Sequence, residues 1–330
     1  MNGRKGMAGI GRLITALALT AGLIAQGVSP PAAAAQPGWP REFRNADGTA
    51  TTLTAPPRRI LSTSVTITGT LLAVDAPVAA SATAANGRFF AQWDKAAQAR
   101  GVEKLWPAGS VDLEAAYAVA PDLIVVAATG GDSALGQIGE LQAIAPTIVL
   151  DYGGQTWQDL ARQIGAATGL EAQINARIVE FDAAVAAARD RITPPAGKVN
   201  IISYNGPGTS NPIATADGVH ARLLQSLGFT LEAPDPAWQS SVAPRQDFVW
   251  TEYENLTRLS ASTTFLLNAG DDKAAAFLAD PLLANLPSVK KRQVYGLGVN
   301  SFRIDYFSAG EIIAGIVRRF GKAEQAAPSP

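Results

Sequence analysis

The segment 170–192, LEAQINARIVEFDAAVAAARDRI, constrains this chain more than any other. Its apolar residues Ile174, Ile178, Phe181, Val185, Ala188 and Ile192 alternate steps of four and three. That spacing predicts one amphipathic helix of about 22 residues, roughly 33 Å at 1.5 Å per residue. Pro194 and Pro195 stop it. On each side, short apolar runs alternate with helical patterns. The runs are RILSTSV (59–65), DLIVVAA (122–128), TIVLD (147–151), VNIISY (199–204), TTFLLNA (263–269) and QVYGL (293–297), with LEAAYAVA and DLARQIGAATG among the helical segments between them. This alternation predicts an α/β fold with largely parallel sheets. The expected layout is an N-terminal lobe over 36–169, an inter-lobe helix over 170–192 and a C-terminal lobe over 193–330, with a groove between lobes that move little against each other. A single doubly wound domain, with the helix as an ordinary crossover, fits the same pattern.

The N-terminus reads as an export signal. Arg4, Lys5 and Arg12 precede an apolar run over 13–24, and small residues close it at Ala33, Ala34 and Ala35. A signal peptide over 1–35 is expected, with a soluble periplasmic protein as the product. Setting those three cations aside leaves 24 basic against 28 acidic residues, a balance of −4. Bulk attraction to nucleic acid or anionic lipid is not expected, and any anion site has to be built locally.

The chain has no cysteine and one histidine, His220. Disulfides, thiolate metal sites and clusters of imidazoles are therefore excluded. His220 lies in DGVHARLLQSLGF, where Asp217 reads as a helix N-cap and His220 as a first-turn helix residue. The loop ATGGDSALG (128–136) follows an apolar run but lacks the lysine of a phosphate-binding loop and does not match GxGxxG. Ser133 sits in no GxSxG elbow and has no evident histidine base, so a hydrolase is disfavoured. The loop reads as a strand-to-helix turn in which Asp132 or Ser133 caps a helix. No enzymatic activity is expected.

Three arginines stand near aromatic residues in separate loop-like segments. Arg88 is in ANGRFFAQWDKAAQ, Arg245 in AWQSSVAPRQDF with Trp238, and Arg303 in GVNSFRIDYFSAGEI with Phe302 and Tyr306. Taken singly, each is a solvated surface residue. Their recurrence in both halves points to one shared site. Guanidinium stays charged, donates in a flat fork and lies on π-faces, which suits a large anion with aromatic surfaces. Glu114 and Glu254 each open a helical segment, one in each half. Two readings fit them: favourable charge at a helix N-terminus, or a pair of carboxylates meeting arginines on a partner.

RILSTSVTITGTLLAVDAPVAAS (59–81), PDLIVVAATGGDSALGQIGELQAIAPT (121–147), LLQSLGFTL (223–231) and QVYGLGVNSFRIDYFSA (293–309) together resemble the class III periplasmic binding proteins. These serve ABC importers of iron siderophores, haem and cobalamin. STSVTITGTLLAVDAPV and ATGGDSAL resemble the catecholate-siderophore branch in particular. The resemblance implies two α/β lobes joined by one long helix, with a ferric catecholate held in the shallow groove between them. A hydroxamate siderophore, haem or cobalamin is the alternative cargo. It also implies that Glu114 and Glu254 dock on arginines of an inner-membrane permease, and that Arg303 lies beside the groove. Arg88 and Arg245 fall in gapped regions of the resemblance. Where a tryptophan-bearing loop is expected, this chain has GPGTSNPIATADG (206–218), for which Trp238 is the available substitute. The siderophore itself encloses Fe(III), so no metal ligand or cofactor is expected of the protein, and a monomer is the expected unit.

Overall fold

A computed structural model describes residues 38–241 and 246–322; the expected signal peptide and Arg245 lie outside them. The described chain opens with an antiparallel hairpin, β1 (Arg41–Arg44) and β2 (Ala50–Leu53). Next come β3 (Ile60–Ser62), α1 (Val65–Ala73), β4 (Val78–Thr83), α2 (Ala91–Ala99), β5 (Glu103–Pro107), α3 (Leu113–Ala118), β6 (Leu123–Ala127), α4 (Ile138–Gln142) and β7 (Thr147–Leu150). These five strands form a fully parallel sheet of order β5-β4-β3-β6-β7. All five residues of β6 are buried, because helices cover both faces of the sheet, and such strands read as unbroken apolar runs.

Two antiparallel helices follow, α5 (Trp157–Thr168) and α6 (Glu171–Arg191). Gly169 joins them at φ +80, the left-handed cap that a residue without Cβ adopts freely. The helix expected over 170–192 is thus observed over 171–191. Its buried residues are Ile174, Ile178, Phe181, Val185 and Ala188, with Ile192 buried just beyond. Burying each large apolar side chain contributes about 1.5–3 kcal/mol. One apolar cluster runs from Ile60 and Val125 in the first sheet, through α6, to Ile201 and Phe265 in the second.

The second half comprises β8 (Lys198–Ile202), β9 (Asn211–Ala214), α7 (Val219–Ser226), β10 (Thr230–Leu231), β11 (Phe248–Thr251), β12 (Thr263–Leu266), α8 (Asp271–Ala279), α9 (Pro287–Lys290), β13 (Val294–Gly296) and α10 (Tyr306–Phe320). Its sheet has the order β11-β9-β8-β12-β13, with β10 beside β8. β8, β10, β12 and β13 are parallel, whereas β9 runs antiparallel to both β8 and β11. The reversal begins in the turn after β8. There the Asn211 side chain accepts from the Asn205 amide at 2.7 Å and donates to the Gly206 and Thr209 carbonyls. Residues 211–214 of the segment 206–218, which the sequence suggests is loop, therefore form a buried strand.

The final helix returns to the first half. Asp305 caps α10 by accepting from the Phe307 and Ser308 amides, each at 2.9 Å, while Ser308 closes a capping box. Gln92 of α2 donates to the other Asp305 oxygen at 3.1 Å. Gly69 of α1 lies against this contact; a Cβ there would meet Asp305 Oδ2 at 2.8 Å and Trp93 Cδ1 at 2.9 Å. A glycine lets three elements meet.

Candidate ligand cleft

In a parallel sheet every strand delivers its loop to the same edge, and α/β proteins place ligands there. In the first half these loops follow β3, β4, β6 and β7, and Asp132 ties three of them together. Its side chain is 6 % exposed. It accepts from Ser64 Oγ at 2.6 Å, the Thr66 amide at 3.0 Å and the Tyr152 hydroxyl at 2.8 Å. Burial pushes the Asp132 carboxyl upward, but these hydrogen bonds outweigh it and hold the group below its ordinary range. Asp132 thus reaches the start of α1, where Ser64 is the N-cap. Ser133 serves the shorter turn that follows, accepting from the Leu135 amide. Gly130 sits at φ +96, and a Cβ on it would lie 1.8 Å from Tyr152 Oη. The two features of GGD are therefore explained: the glycine makes room for Tyr152, and the aspartate fixes it.

In the second half, the turn from β13 to α10 carries Phe302 and Arg303. Ser301 anchors it, donating through Oγ to the Gly298 carbonyl at 2.7 Å and accepting from the Asn268 amide at 3.0 Å. His220, 2 % exposed on α7, lies 2.9 Å through Nε2 from the Ser301 carbonyl. A carbonyl only accepts, so Nε2 carries the proton. Burial pushes the imidazole down to about 4 and keeps it neutral. His220 is a first-turn residue, as its spacing predicts, and it also braces the Arg303 turn. The N-cap of α7 is Gly218 instead of Asp217, and no side chain caps it.

Phe302 stacks on Phe248 with centroids 5.7 Å apart and planes inclined at 8°. The Arg303 guanidinium lies 5.2 Å from the Phe302 ring and 5.6 Å from the Tyr152 ring. One cation is thus held over rings from both halves. Thr66, Gln155, Trp157, Asp247 and Ile304 complete a cavity of about 30 Å³ at this floor.

The other expected site residues are placed unevenly. Arg88 is exposed on the turn between β4 and α2, at the edge of the first sheet where the Asp132 loops emerge. Tyr306 does not join Arg303 at the cavity. It packs against Trp157 at 5.4 Å and Phe181 at 5.9 Å, with the Arg177 guanidinium 5.5 Å from its ring. As the first residue of α10, it turns toward α6. Trp238 likewise packs elsewhere, against the cluster of Ile202, Ile213 and Leu256 on one face of the second sheet. The opposite face, with Ile201 and Phe248, belongs to the cluster shared with α6. Glu114 and Glu254 are both exposed in first helical turns, on α3 and on the 3-10 turn Tyr253–Arg258. Asp112 already caps α3, so capping does not require Glu114.

Tyr152 and Asp132 were not among the expected ligand-site residues. The available signal was an aromatic inside DYGGQ, a glycine-rich turn following a strand.

Residues 60–300 match the model of the family described as periplasmic binding protein. The ferric enterobactin-binding periplasmic protein FepB of Escherichia coli O6:H1 is 43 % identical over 309 residues, covering 90 % of this chain and 95 % of that one. The crystal structure of holo-ViuP matches with a TM-score of 0.84 and 57 % identity, covering 86 % of this chain and 96 % of that one. The periplasmic catecholate-siderophore binding protein VctP of Vibrio cholerae shares the fold at a TM-score of 0.60 and 17 % identity, over 84 % of this chain and 99 % of that one.

Proposed function

We propose, because the chain belongs to the periplasmic binding protein family, that it binds a ferric catecholate siderophore in the periplasm and delivers it to an ABC importer. The observation that carries this reading is Arg303, whose guanidinium lies over Phe302 from one half and Tyr152 from the other. Three catecholates around Fe(III) fill its coordination positions and leave a triply anionic complex with aromatic faces. Such a cargo needs cations and rings from the protein and no metal ligand. The likeness to a ferric enterobactin-binding protein at 43 % identity supports the same cargo class. The cavity at Arg303 holds about 30 Å³, so the complex would rest across its mouth. Exposed Arg88 and Arg245, which lies outside the described residues, would add charge from each half.

The protein acts by binding and release, with no chemical step of its own. Glu114 and Glu254 would meet basic residues of the permease, one from each half; their exposed carboxylates in helical first turns support this.

The test is a titration with ferric enterobactin, followed by quenching of tryptophan emission. Saturable binding at sub-micromolar concentration is expected. Arg303→Ala should weaken it roughly thirty-fold, as loss of a desolvated cation–π contact of about 2 kcal/mol implies. A hydroxamate complex without net negative charge should show little dependence on Arg303. Emission unaltered across a panel of ferric catecholates would refute the reading.

A further inference from the structure

Behind the cleft floor lies a second cavity that the siderophore reading does not use. It is bounded by α5, α6, α7 and the start of α10, and it encloses about 390 Å³, within the size range of small-molecule pockets. Its inner wall is apolar, with the Trp157 and Phe181 rings edge-to-face at 5.0 Å and Val185 beside them. Its outer part holds Arg189 from α6 and Arg222 from α7. Neither guanidinium has an ion pair among the described residues. The one carboxylate in the lining, Asp182, is met by the Gln158 amide at 3.4 Å.

A further observation points to a ligand. Trp157 is 3 % exposed, and its indole N–H is buried with no acceptor among the described residues. A buried donor without a partner is costly. The cavity therefore combines aromatic walls, one of them a tryptophan whose buried donor has no partner among the described residues, with two arginines against one aspartate.

We propose that this cavity is a second binding site, for a small aromatic anion bearing a carboxylate or sulfonate. The ring packs against Trp157 and Phe181, and the anionic head meets Arg189 and Arg222. The site lies apart from the cargo but next to it, since Trp157 and Ile304 line both cavities.

The test uses the full exported chain and anilinonaphthalenesulfonate as probe, with no siderophore present, so it stands or falls independently of the proposed cargo. Emission should rise and saturate at one probe per protein. The Trp157 indole resonance in a nitrogen-15 spectrum, assigned with Trp157→Phe, should shift with the same affinity. Arg189→Ala with Arg222→Ala should weaken binding at least ten-fold. Ala186→Trp, a change at an exposed helical position in the cavity lining, should abolish it while the urea midpoint stays at the wild-type value. The proposal is overturned if binding is absent, if it survives Ala186→Trp and the double arginine change, or if the Trp157 resonance does not move.

Discussion

Replacing Gly130 with alanine tests the first half of the cleft directly. The backbone there has φ +96, and the new Cβ would lie 1.8 Å from Tyr152 Oη, so the tyrosine has to leave. Two penalties combine. Placing an L-residue at this φ costs roughly 1–2 kcal/mol. Removing the Tyr152 hydroxyl from the buried Asp132 carboxylate costs about 1.5–3 kcal/mol, as for hydrogen bonds to charged groups. The expected loss is about 3 kcal/mol in urea unfolding, which lowers Tm by about 5 °C for a chain of this size. The decisive comparison is a double-mutant cycle with Tyr152→Ala, where the clash and the hydrogen bond are both already gone. In that background Gly130→Ala should cost only the backbone part, leaving a coupling energy of about 1.5–3 kcal/mol. Equal costs in the two backgrounds would refute the account of the GGD loop.

Other outcomes follow from the same geometry. Burial raises the Asp305 carboxyl to about 6, so the folded state binds this proton more tightly than the unfolded state does. The stability it contributes is present at pH 4 and lost as pH rises through 6. Asparagine also caps helices well, so Asp305→Asn should exceed the wild type by about 3 kcal/mol at pH 7.5 in chemical denaturation, with the gap closing toward pH 4; a pH-independent gap would count against it. His220 has the opposite sign: its folded value of about 4 lies below the ordinary 6.5, so the protein loses stability as pH falls from 6.5 toward 4. His220→Gln should flatten that slope in urea titrations, and an unchanged slope would exclude His220 as its source. Charge reversal at Glu114 and Glu254 together should leave ferric enterobactin affinity within about two-fold, since rim charges act mainly on association with the partner. Transport into proteoliposomes carrying the permease should fall sharply, and undiminished transport would remove both residues from the docking surface.

The residues least legible in the sequence are those whose role depends on remote partners. Asp132 meets Ser64 and Tyr152, and His220 meets Ser301; the local sequence around none of them announces the contact. Strand β4 was equally hidden. Its VAASAT carries no large apolar run, yet it is almost wholly buried because β3 and β5 flank it and α1 covers it. Trp238 and Tyr306 show the converse difficulty. Both are aromatics near an arginine in the chain, but a helical start and the choice of sheet face pack them, half-buried, against the core clusters.

By itself the sequence determined the long helix and its buried face, since a 3.6-residue period and two prolines are local properties that neighbours do not alter. It also determined the parallel strands whose burial on both faces demands unbroken apolar residues, and it marked Arg303 through its aromatic neighbours. Only the tertiary structure decided that Arg303 reaches Tyr152 in the other half, that Asp132 holds the first half's loops together and that Tyr306 faces away. Those outcomes depend on where strand ends and helix starts come together in space, and no pattern of spacing along the chain encodes a meeting between residues so far apart.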